Sequence, residues 1–160
     1  MKETASLNVQ IGNVGYSLFE RNSNMANYKI EDVEGIGPSY GEKLRKAGIE
    51  NTDQMLTAGK TKKDRTELAK QTGISEALIL KWVNMVDLYR IKGIGSEFSE
   101  LLEASGVDTV KELKHRIPSN LIKKMTEVNE QKKLTRRVPT EAMVTDWIEQ
   151  AKQMPAMVEY

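Results

Sequence analysis

The chain has 160 residues, 39% hydrophobic and 29% charged, enough for one good-sized core or two small ones. It has no cysteine, a single histidine (His115) and a formal net charge of +1. These exclude a disulfide framework, a thiolate metal site and a multi-histidine metal cluster, and they leave no overall basic excess of the kind dedicated nucleic-acid domains carry.

Residues 1–27 read as an N-terminal extension. Leu7, Val9 and Ile11 alternate with polar residues as a strand would, and Gly12 and Gly15 follow. The opening "MKETASLNVQIG" lacks the apolar core of a signal peptide, and no apolar run approaches membrane-spanning length. A soluble, cytoplasmic protein is the expectation, with no membrane contact. A short extended segment orders only against its own body or a partner, so residues 1–24 are expected to dock on a protein, for example at a sheet edge. Met25 offers an internal start.

From residue 28 the pattern is all-helical and duplicated, with copy one at 28–90, copy two at 91–154 and a C-terminal tail at 155–160. One shift lays Gly35 on Gly93, Ile36 on Ile94, Gly37 on Gly95, Leu44 on Leu102 and Gly48 on Gly106. A second shift lays "SEALILKW" (Ser75 to Trp82) over "TEAMVTDW" (Thr140 to Trp147), with the extra residues of copy two between Lys114 and Val138. Each copy reads as a helix ending at the glycine pair and a second helix from about Pro38 or Ser96. A third follows a capping box, Asn51 with Gln54 or Thr109 with Glu112. A fourth ends near Gly73 in copy one, and a fifth carries the tryptophan. Leu78, Ile79, Trp82, Val83, Val86 and Tyr89 keep helical spacing and read as core, as do Met143, Trp147 and Ala151.

The two corners share a physical logic. The first glycine takes a positive φ and ends the incoming helix, and the second allows a turn with no side chain in the way. The isoleucine between them enters the core. A small residue four positions on, Gly41 or Ser99, lets two helices cross closely.

The pattern apolar-x-Gly-Ile-Gly-x-x-x-small-x-x-Leu resembles the helix-hairpin-helix motif in both copies. "YKIEDVEGIGPSYGEKLRKAGI", "LAKQTGISEALILKWVNMVDLYRIKGIG" and the tryptophan of "VTDWIEQA" are similar to the tandem helix-hairpin-helix family of domain of unknown function 4332, from Tyr28 to about Met154. That resemblance implies an all-α fold of two pseudo-symmetric repeats and brings no established activity. Helix-hairpin-helix motifs elsewhere hold a DNA phosphate on backbone N–H groups at the positive end of the second helix, without reading sequence. Carried over, the donors are Gly35, Ile36, Gly37 and Ser39, then Gly93, Ile94, Gly95 and Glu97; Pro38 has no N–H.

Charge divides the copies. Lys43, Arg45 and Lys46 follow the first corner, and Lys60, Lys62, Lys63 and Arg65 come soon after. The second helix of copy two carries Glu97, Glu100 and Glu103, with Glu97 where a phosphate would meet the helix dipole. Lys114, Arg116, Lys123, Lys124, Lys132, Lys133, Arg136 and Arg137 crowd the inserted part of copy two. Whether that run lies beside the first corner is left open. No lysine nucleophile, paired carboxylates or Ser/His/Asp set stands out, and Asp108 belongs to the start of the next helix. The expectation is a non-enzymatic module with no cofactor, metal or small-molecule substrate. Its leading function is weak, sequence-independent nucleic-acid binding through the corner amides with Lys43, Arg45 and Lys46. The alternative is a protein-interaction or scaffold component docked through its N-terminal extension.

Overall fold

A computed structural model describes residues 27–160. The strand-like alternation of Leu7 to Ile11 and the docking of residues 1–24 lie outside the described residues. A 3-10 turn (Ile30–Asp32) is followed by eight helices among the described residues. These are α1 (Gly37–Lys46), α2 (Thr52–Ala58), α3 (Lys62–Thr72), α4 (Glu76–Leu88), α5 (Ser96–Ala104), α6 (Val110–Leu113), α7 (Pro118–Lys132) and α8 (Glu141–Lys152). The protein is all-α: among the described residues, extended pairing is limited to a bridge between Lys29 and Asn51.

Helix starts follow the capping chemistry written in the sequence. Asn51, Thr61, Ser75, Thr109 and Thr140 each accept a hydrogen bond from the amide three residues on, opening α2, α3, α4, α6 and α8. The box at Asn51 closes differently from expectation, because Gln54 Oε1 accepts from the Glu50 amide.

One expected helix is missing. In copy one the glycine pair follows a single 3-10 turn, because residues 28–30 are drawn out against 50–52. Ile30 N–H donates to Glu50 O at 3.0 Å and Thr52 N–H to Tyr28 O at 2.9 Å. Three residues are then left to turn before Val33. In copy two a full helix, α4, runs up to the corresponding corner.

Two apolar clusters form. Ile30, Ile36, Leu44, Met55, Ile79, Trp82 and Val83 belong to the first, and Ile94, Leu101, Leu102, Leu113, Met125, Val144 and Trp147 to the second. Helix α4 joins them. It packs against α2, α3 and α5, giving Met85 and Val86 to the first cluster and Leu88 to the second. Where α4 ends, Asp87 and Arg90 form a buried ion pair at 3.0 Å, their side chains 1% and 0% exposed. The second Asp87 oxygen accepts the Val110 amide that opens α6, at 2.8 Å, and Arg90 Nη2 donates to Pro155 O at 2.9 Å. Burial pushes the Asp87 carboxyl up, while the Arg90 charge and the Val110 N–H oppose that shift.

The residues after Met154 are a strap rather than a loose tail. Val158 is buried in the first cluster, so the chain crosses back from copy two to copy one. Glu159 N–H donates to Lys60 O, Arg65 Nη2 to Glu159 O, and Tyr160 Oη to Asn84 Oδ1. Arg65, expected to join a basic cluster, is 4% exposed and holds the Gly59, Lys60 and Glu159 carbonyls.

Gly41 has a different neighbour from the crossing helix expected. A Cβ there would lie 2.6 Å from Glu31 Cγ, because the Glu31 stem lies across α1 on its way to Arg45. Arg45 donates twice to that carboxylate, the Nη2 bond being 2.8 Å. The Arg45 guanidinium holds the Glu31 carboxyl at about 2, against an ordinary 4.5. Folding therefore gains from this pair above the ordinary carboxyl range and loses that gain as pH falls toward about 2.

Two outcomes follow. Asp87→Ala removes a buried carboxylate that both pairs with Arg90 and accepts the Val110 amide, and should cost about 3 kcal/mol or more in urea unfolding; a loss under about 1 kcal/mol would mean Asp87 does not hold the joint. Glu31→Gln should melt below the wild type at neutral pH, the two curves converging as pH falls toward about 2; parallel curves would mean the pair contributes nothing.

Candidate nucleic-acid interface

Each corner seats an indole. Gly35 has φ +92° and Gly93 φ +103°, conformations that glycine adopts without strain. A Cβ on Gly35 would sit 3.4 Å from Trp82 Nε1, and one on Gly93 only 2.9 Å from Trp147 Nε1. Trp82 and Trp147 are 1% and 2% exposed, and each meets an aromatic from the helix after the corner. Tyr40 lies 5.1 Å from Trp82 and Phe98 5.3 Å from Trp147, between ring centroids. The first glycine of each pair is therefore explained by the fold: by its positive φ at Gly35, and by φ together with the Trp147 contact at Gly93.

The expected amide donors are reduced by bonds inside the corners. Ile36 N–H donates to Val33 O at 3.0 Å and Ile94 N–H to Ile91 O at 3.1 Å, so neither faces outward, and both side chains are buried. At the first corner Gly35 and Ser39 are exposed. Gly37, at φ +62°, has no atom of the described residues within 4 Å of where a Cβ would stand. Helix α1 has no side-chain cap among the described residues and no acidic residue in its first turn.

The second corner carries more contacts, although Gly93 is as exposed as Gly35 and α5 also starts without a side-chain cap. A Cβ on Gly95 would meet Tyr28 Oη at 3.3 Å. The Gln150 amide takes both the Lys92 N–H, at 2.9 Å, and the Lys92 carbonyl, at 3.0 Å. Ser96 Oγ donates to Asp32 O, bringing the corners side by side. Glu97 lies exposed in the first turn of α5. Burial together with the nearby Glu34 carboxylate pushes the Glu100 carboxyl up, so the surface between the corners is acidic.

The three cations after the first corner do not converge on it. Lys43, Arg45 and Lys46 occupy the last turn of a ten-residue helix about 15 Å long, where they also suit the helix dipole. Arg45 is held by Glu31, and Lys46 lies 3.7 Å from Glu42. Lys43 alone of the three leans back over the Tyr40 ring, 5.9 Å from its centroid and one turn nearer the corner.

The basic run of copy two lies beside the second corner. Lys114 donates to Met154 O, and Arg116 to Glu112 and Gly106 O, so these two are structural. Lys132 is close enough to Glu100 to lower its carboxyl pKa. Arg136 and Arg137 line an open cleft of about 560 Å³ together with Glu97 and Phe98. Sequence reasoning did not single out Phe98, although it stands where Tyr40 stands in copy one, and that correspondence was the available signal. His115 is exposed, and Asp108 precedes Thr109 at the start of α6. No helix among the described residues is long and apolar enough to cross a membrane.

Neither the curated proteins nor the solved structures yield a match. Residues 34–154 match the family described as Domain of unknown function (DUF4332), a stretch that takes in both corners, both tryptophans and every helix from α1 to α8. The chain belongs to that family of domains of unknown function.

Proposed function

We propose that this chain is a non-enzymatic helix-hairpin-helix module that binds the backbone of duplex nucleic acid weakly and without sequence preference. The observation that carries the reading is the contrast between the corners. The first starts a helix with no acidic residue in its first turn, leaves Gly35 and Ser39 exposed with no described neighbour over Gly37, and has Lys43 leaning toward it. A phosphate oxygen needs that combination of donors, helix dipole and unobstructed approach. The second corner is blocked by Tyr28, engaged by Gln150 and guarded by Glu97, so it serves packing. Gly35, Gly37 and Ser39 are the backbone donors in this reading, and Lys43 adds charge. Arg45 and Lys46 contribute less than their sequence position suggests, being paired with carboxylates.

A protein-interaction module docked through residues 1–24 is the second reading. The near-neutral net charge and the carboxylate pairing of Arg45 and Lys46 favour it.

The two separate on one substitution. Ser39→Glu gives the first corner the charge that Glu97 gives the second, and a carboxylate in a first helical turn stabilises the helix. The variant should melt no lower than the wild type while its affinity for a labelled duplex at low salt falls about tenfold. Unchanged duplex affinity, or no duplex binding by the wild type at about 50 mM salt, overturns the reading.

A further inference from the structure

The cleft at the second corner holds the uncommitted arginines among the described residues. Among the described residues Arg45, Arg65, Arg90 and Arg116 are each engaged, by Glu31, by the strap carbonyls, by Asp87 and by Glu112. The side chains of Arg136 and Arg137 are exposed and make no hydrogen bond or ion pair with any described residue, although Glu97 faces the same cleft. Opposite charges that share a cleft without closing on each other leave room for something between them.

The loop that carries these arginines is rigid. Asn129 Nδ2 donates to Thr135 O at 3.1 Å, Thr135 N–H donates to Asn129 Oδ1 at 3.0 Å, and Thr135 Oγ1 donates to Arg137 O at 2.7 Å. Thr135 is buried, and Lys133 closes α7 in the left-handed conformation of a helix C-cap, φ +51°, its N–H on Asn129 O. The guanidiniums thus leave a fixed loop, and the opposite wall is Phe98, held against the buried Trp147.

We infer that this cleft binds one nucleotide unit: a phosphate on Arg136 and Arg137, a base against Phe98, and a base amine or ribose hydroxyl on Glu97. Adjacent guanidiniums suit a phosphate because each offers a planar fork of N–H donors. An aromatic wall accepts any base through its π-face, and a carboxylate accepts from exocyclic amines and hydroxyls. A volume of about 560 Å³ lies within the range of small-ligand sites. The groups are mutually necessary in this assignment: a bare anion has no use for Glu97 or Phe98, and an acidic peptide is repelled by Glu97. A duplex cannot present a base edge-free to such a cleft, so the ligand is a single strand or a free nucleotide. The inference goes beyond the duplex reading and uses a surface separate from the first corner.

The test is fluorescence anisotropy on the full chain with a labelled single strand of about ten nucleotides, competed in turn by a nucleoside monophosphate and by poly-glutamate. The single strand should bind, and Arg136→Gln with Arg137→Gln should weaken it about tenfold or more and flatten its salt dependence. Phe98→Leu, which keeps the contact with Trp147 apolar, should weaken binding with the salt slope unchanged. Glu97→Gln should alter the preference among bases. Competition by the monophosphate at matched nucleotide concentration assigns the free nucleotide, and its failure assigns the strand; either supports the nucleotide site. Unchanged strand affinity in the double arginine variant overturns the inference, and so does equal competition by poly-glutamate. In a Ser39→Glu background strand binding should keep its dependence on Arg136 and Arg137, so a failure of the cleft and a failure of the first corner are told apart.

Discussion

A side-chain-free glycine over the edge of a buried tryptophan is the constraint on which the rest of the structure depends. Trp82 and Trp147 fill the two clusters; a Cβ on Gly93 would collide with the Trp147 indole, while at Gly35 the positive φ is the constraint and a Cβ would just touch Trp82. The positive φ that glycine supplies turns the chain away from the preceding segment, so α1 and α5 leave their corners at an angle that closes over the ring. Ile36 and Ile94 then drop into the cores below, spending their own amides on the turn. A glycine signature with so complete a packing explanation carries no functional information by itself. Function has to be sought in what differs between corners with the same skeleton.

The differences come from long-range neighbours. Tyr28, Gln150 and the Ser96 contact with Asp32 cover the second corner, and Glu97 charges its helix start negatively. Among the described residues nothing comparable covers Gly37. The second copy meanwhile acquires α7 and the rigid loop after it, which bring Arg136 and Arg137 against α5 instead of toward the first corner. One copy exposes main chain, and the other exposes side chains around a cleft. The buried Asp87–Arg90 pair keeps the two in fixed relation by tying the end of α4 to the start of α6 and to the strap.

Much of the fold is legible in the sequence, because local rules decide it. The caps at Asn51, Thr61, Ser75, Thr109 and Thr140 and the apolar stripe through Trp82 are read within a few residues of each helix. The parts that escape depend on distant partners. The helix expected before Gly35 shrinks to a 3-10 turn because residues 28–30 pair with 50–52. The strap is invisible to periodicity because one buried side chain, Val158, and several backbone bonds hold it. Gly41 looks like a helix crossing and instead admits the stem of Glu31. At the surface the limits are sharper: a run of cations reads alike whether its members are free, as Arg136 and Arg137 are among the described residues, or engaged, as Arg45, Arg65 and Arg116 are.

The central claim is that corners built alike in their turn do different work, with the first open to an anion and the second closed. Backbone amide resonances of the labelled full chain, followed while a short duplex is added at low salt, test this most directly. The account predicts progressive shifts at Gly35, Gly37 and Ser39, with Gly93, Ile94 and Gly95 unmoved. Equal shifts at both corners, or shifts confined to the second, would contradict it.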